Sequence, residues 1–156
     1  YFNAPNERIP ILEFIKKMGK MKILRNILVV IAGLIVGGMV NMGIVMISGS
    51  IISPPESANL STIEGMRAAM PLMEFRHFIM PFFAHALGTL IGAFIASFLA
   101  ISHQLNMARI VGVFFLIGGI VMVVQLPSPL WFNIVDLVFA YIPMACIGGR
   151  LVKMNS

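Results

Sequence analysis

Four apolar runs, each close to the length of a bilayer crossing, dominate this chain: residues 27–48, 78–101, 108–126 and 130–149. A hydrocarbon core of about 30 Å takes roughly 20 helical residues at about 1.5 Å per residue. Lipid offers backbone N–H and C=O groups nothing to bond, so such runs must satisfy themselves as helices. They also lack the polar–apolar alternation of a barrel strand. The chain has 156 residues, 59% of them apolar, and a soluble domain that small could not cover so much apolar surface. The expected fold class is an all-α integral membrane protein with four transmembrane helices.

Charge placement orients these helices. The net charge is +5, which might suggest nucleic acid, but the basic residues are sorted by side rather than gathered into a surface. Arg8, Lys16, Lys17, Lys20, Lys22 and Arg25 precede the first run, Arg109 precedes the third, and Arg150 and Lys153 follow the fourth. Only Arg67 and Arg76 fall on the other side, among Glu56, Glu64 and Glu74. Positive residues stay in the cytoplasm, so both termini are expected inside, in a bacterial inner membrane, with no nucleic-acid partner. Residues 1–24 then form a cytoplasmic basic segment and residues 25–156 the transmembrane domain. Ile11, Leu12, Ile15 and Met18 share a helical face opposite Lys16, Lys17 and Lys20, which predicts a short amphipathic helix on the anionic membrane surface. Met21-Lys22-Ile23 reads as a native start, which leaves the status of residues 1–20 open. The first run is too long for a signal-peptide core and reads as a retained helix.

The connections carry further signals. Residues 49–77 form the long outer loop, opened by Pro54-Pro55. Ser61-Thr62-Ile63-Glu64 matches a capping box with Ser61 as the cap. A short helix should follow until Pro71, lying over the bundle as a lid. Pro143 should kink the fourth helix and free the carbonyl of Phe139. Trp131 fits an interfacial anchor. Gly33-x-x-x-Gly37 and Gly88-x-x-x-Gly92 allow close helix approach, and His85 and Thr89 share the second glycine face. The one cysteine, Cys146, permits no internal disulfide, and its simplest role is packing.

Three spans each carry one strongly polar residue: Asn41, His85 and Asp136, the only aspartate. Asn41 lies seven residues from the outer end of its run, His85 seven and Asp136 six. That puts all three roughly 9–10 Å below the outer boundary. Asn133 shares the Asp136 face one turn above. Polar groups in lipid are costly, so they face the protein interior and mark a site. His85 and Asp136 can share one proton and stay neutral as a pair, with Asn41 completing the network. Glu74, Arg76 and His77 stand at the outer entry. Tyr141 lies deeper and, on a regular helix, off the Asp136 face.

This pattern suits a proton-linked carrier or binding protein for a small solute. An equally simple reading makes the polar layer a packing device in an accessory subunit of a larger membrane complex. Four helices enclose little volume, so a transport path calls for a homo-oligomer or partner helices. The sequence shows no nucleophile elbow, phosphate loop or HExxH, so no cofactor or metal site is assigned, and an intramembrane metalloenzyme is the third reading after carrier and subunit. A single Glu74-x-x-His77 falls short of a di-metal set. Met42 and Met46, and Met66 and Met70, have spacings that could bind Cu(I), but packing is the ordinary use of methionine.

Overall fold

The computed structural model describes residues 8–56 and 58–154, and within them all side chains except those of 8–12, 15, 16, 153 and 154. Among the described residues six α-helices run in chain order: α1 (Arg8–Ile51), α2 (Ile63–Ala69), α3 (Ile79–Leu99), α4 (Gln104–Gln125), α5 (Leu130–Phe139) and α6 (Ile142–Met154). No strand occurs among the described residues. Four helical stretches are long and apolar enough to cross a membrane: Lys17–Ile51, Phe75–Leu99, Gln104–Gln125 and Leu130–Val152. This is a multi-pass helical bundle.

Its interior is the reverse of a soluble core. Most of the fully buried positions are small, among them Ala84, Ala93, Ala96, Ala108, Ala140 and Ala145, with Tyr141 the large exception. The large apolar side chains face outward, with Val124 81% and Met46 76% exposed. Water would penalise that surface, whereas lipid accepts it. Small residues inside let backbones approach, which is what holds helices together where apolar burial adds nothing.

Helix α3 lies at the centre, packed on α1, α4 and α6. Its contact with α1 is glycine on glycine. A Cβ placed on Gly33 would come 2.5 Å from the carbonyl oxygen of Gly92, and one on Gly37 would come 2.5 Å from that of Gly88. The converse holds for Gly88 and Gly92, so the two GxxxG motifs face each other. On its other flank, Gly148 of α6 lies against the Leu90 carbonyl of α3, and Gly149 lies on Ala108 of α4.

Three local expectations need correction. The N-terminal segment is not a separate surface helix, because residues 8–51 form one continuous helix. Gly19 alone does not break it, and no proline stands between the basic segment and the span. Met18, Lys17 and Lys20 are exposed, while the side chains of Ile11, Leu12, Ile15 and Lys16 lie outside the described set. Secondly, the cap of α2 is Thr62, whose hydroxyl accepts from the Gly65 amide at 3.0 Å. Ser61 instead bonds the Asn59 side chain. Thirdly, the fourth span is interrupted rather than bent: α5 ends at Phe139 and α6 begins at Ile142. Pro143 has no N–H for the Phe139 carbonyl, and it sits in the first turn of α6, where that loss costs nothing.

Candidate functional site

The interruption of the fourth span builds the site. Asp136 ends its side chain inside the bundle and is 2% exposed. Tyr141 follows five residues later, which on a continuous helix would turn it well away. The break at Ala140 and Tyr141 swings the ring back, and its hydroxyl donates to Asp136 Oδ2 at 2.7 Å. Gly119 of α4 supplies the room: a Cβ there would lie 2.6 Å from Tyr141 Cζ. The second carboxylate oxygen, Oδ1, meets His85 Nδ1 at 2.8 Å. The Tyr141 hydroxyl also lies 3.1 Å from that nitrogen. Two side chains, His85 from α3 and Tyr141 from the break between α5 and α6, thus close on the one carboxylate of α5.

Against an ionised carboxylate, which only accepts, His85 Nδ1 is the donor in that bond. The other ring nitrogen, Nε2, has no hydrogen-bond partner among the described residues. The His85 side chain is 24% exposed, and it opens onto a cavity of about 270 Å³. Asp136 and Asn133 line that cavity too. The Asn133 amide nitrogen donates to the Ser128 carbonyl at 3.3 Å, and its buried Oδ1 is left without a partner.

The walls are mostly apolar. Five methionines line them, namely Met66, Met70, Met73, Met80 and Met122, whereas Met42 and Met46 are on the exposed face of α1. The roof is the loop between α1 and α3, including α2. Arg67 ties this roof down, donating from Nε and Nη2 to the Gln125 carbonyl at the end of α4, at 3.1 and 2.8 Å. That carbonyl is among those a helix C-terminus leaves unsatisfied, so a cation suits it. Stacked Phe75 and Trp131, with Phe78 against Phe132, close the α3–α5 side.

The sequence-derived residues separate into those that meet here and those that do not. His85, Asp136 and Asn133 line one cavity. Asn41 does not: it lies against Gly88 on the α1–α3 seam, its Oδ1 buried and unpaired. Of the entry group, only His77 lines the cavity. Its Nδ1 accepts from the Glu74 amide at 2.9 Å, and its Nε2 lies 3.2 Å from the Ser53 carbonyl. The Glu74-x-x-His77 spacing is therefore a capping box for the 3₁₀ turn leading into α3. Glu74 and Arg76 pair with each other on the surface at 3.1 Å. Tyr141 and Gly119 are the residues that sequence reasoning misplaced or passed over. Pro143 was the available signal for Tyr141, because helical facing cannot be carried across a broken turn.

Comparisons with protein-family models, with curated proteins and with solved structures each gave no match. The functional reading therefore stands on this geometry alone.

Proposed function

We propose that this chain is a proton-linked carrier or binding protein for a small, largely apolar solute. The observation that carries the reading is a roofed apolar cavity with the His85–Asp136–Tyr141 cluster at one end. Ligand sites are typically apolar hollows with a few converging polar groups. A buried carboxylate hydrogen-bonded to an imidazole is a group able to hold and release one proton. In this reading the basic end faces the cytoplasm of a bacterial cell, the roof faces outward, and copies of the chain associate to complete a path.

The alternative is an accessory subunit. It draws on the apolar groove between α1 and α4, lined by Ile27, Ile31, Met107 and Phe114 among others, where another chain's helix could lie. That role needs no access to the polar cluster.

Methionine methyl groups provide the test. Protein labelled at Met methyls and held in nanodiscs is titrated with 2-phenylethanol, followed by NMR. The proposal expects saturable shifts at Met66, Met70, Met73, Met80 and Met122, with Met39 and Met46 unmoved. Shifts confined to the exposed methionines, or none, would remove the binding reading. A stoichiometric foreign chain in native mass spectrometry would then support the subunit.

A further inference from the structure

Next to the His85–Asp136–Tyr141 cluster, the unmet hydrogen-bonding capacity of the cavity is of the accepting kind. Both Asp136 oxygens are occupied, by His85 and Tyr141. Beside the Ser128 hydroxyl, which both donates and accepts, what remains is the Nε2 lone pair of neutral His85 and Oδ1 of Asn133, and both of these accept. Asn133 and Asp136 are neighbours at i and i+3 on α5, so these acceptors belong to one end of the cavity. A ligand that fits must bring donors.

Charge narrows the class further. The titratable side chains lining the cavity are His77, His85 and Asp136, with Tyr141 behind them. No lysine, arginine or glutamate lines it. From α1 and α4 the lining side chains carry no charge, and from α2 and its loop His77 is the one titratable side chain that faces in. Arg67 is spent on the Gln125 carbonyl. His77 has both ring nitrogens engaged. With Asp136 ionised and His85 neutral, the buried cluster carries one uncompensated negative charge. Such a charge is expensive in a membrane interior unless a cation joins it. That cation is either a proton on His85 Nε2 or the head of a ligand.

Resting on the binding reading above, we infer that the cavity takes a lipophilic primary ammonium in exchange for a proton. In the empty state His85 is an imidazolium, and its charge balances Asp136. On binding, the N–H bond at Nε2 breaks and the proton passes to water. The ammonium then donates hydrogen bonds to the freed Nε2 and to Asn133 Oδ1. One positive charge leaves and one arrives, so the cluster stays neutral throughout. The methionine walls take the apolar body. An apolar cavity of about 150 Å³ holds one benzene, so about 270 Å³ suits a single ring with a short chain. An ethanolamine lipid headgroup offers the same ammonium but brings a phosphate, and no basic side chain lines the cavity to receive it.

The test compares 2-phenylethylammonium with its neutral counterpart 2-phenylethanol, by calorimetry on the full chain in nanodiscs. Two buffers of different ionisation enthalpy count the protons released. Ammonium affinity should rise with pH, by up to about tenfold per unit, wherever the empty state holds the exchanged proton, with about one proton released per molecule there. Alcohol affinity should be flat. Asp136→Asn should abolish the ammonium preference and keep alcohol binding. Asn133→Leu, which leaves the His85–Asp136–Tyr141 cluster intact, should weaken the ammonium about tenfold without changing the proton count. Alcohol bound with no pH-dependent ammonium binding overturns the exchange and leaves the binding reading standing. Binding of neither probe overturns both.

Discussion

Gly92→Ala tests the close packing of α1 on α3. A Cβ on Gly92 would stand 2.6 Å from the Gly33 carbonyl oxygen and 3.2 Å from the Gly37 Cα. Both neighbours are backbone, so no side-chain rotation can relieve the clash. Restoring ordinary contact, at about 3.4 Å, requires α1 and α3 to part by roughly 0.8 Å at this position. A gap of that size forfeits about a quarter to a half of the dispersion between facing atoms. Overpacking of one methyl costs about 1–3 kcal/mol, and a contact this unyielding belongs at the upper end. Alanine returns up to about 1 kcal/mol through helix propensity. The net loss should be about 2 kcal/mol. Gly38→Ala is the control, because a Cβ there meets nothing within 4 Å, and it should be neutral or slightly stabilising. Unfolding free energies from steric trapping in bicelles give the comparison. Equal values for the two variants would refute the claim that close glycine contact holds α1 to α3.

Three further outcomes are expected. Tyr141→Phe removes a buried donor from Asp136 Oδ2 and should destabilise the bundle by about 1–3 kcal/mol in the same assay; no change would mean the hydroxyl is not engaged. Arg67→Met unties the roof from Gln125, and hydrogen exchange at residues 63–69 should quicken by up to about tenfold, since the bond is exposed and modest. His103, the one non-glycine with positive φ among the described residues (55°), sits in the turn before α4; His103→Gly should stabilise by up to about 1 kcal/mol, and a loss of stability would show that its side chain matters more than its backbone.

The spans were legible because length and hydropathy alone determine them in lipid. The end of α3 falls at Leu99 and that of α4 at Gln125, close to the boundaries read from the apolar runs. The two GxxxG motifs were legible as close-approach faces for a similar reason, since small residues are informative where large ones face lipid, but that they face each other came only from the fold. The pairing of His85 with Asp136 followed from depth and cost. Depth, however, is one coordinate. Asn41 shares it with His85 yet points at Gly88, because rotation about a helix axis is set by the neighbouring helix and not by the count of residues. Tyr141 was misplaced because helical facing was carried across a turn that Pro143 breaks. The Arg67 latch and the gathering of five methionines were not legible at all. Both depend on how a long loop folds back over the bundle, which local pattern does not encode.

In the proposed site Asp136 holds the Nδ1 proton of His85, and Nε2 faces the cavity bare when no proton balances the pair. Nitrogen NMR of histidine-labelled protein in bilayers reads this directly, with His85→Asn used to assign the signal. Above neutral pH the account predicts a protonated Nδ1, coupled to a carboxylate, and an unprotonated Nε2 whose shift responds to ligand. A proton on Nε2 with Nδ1 bare would contradict it, since the carboxylate would then lack its donor and the cavity its acceptor.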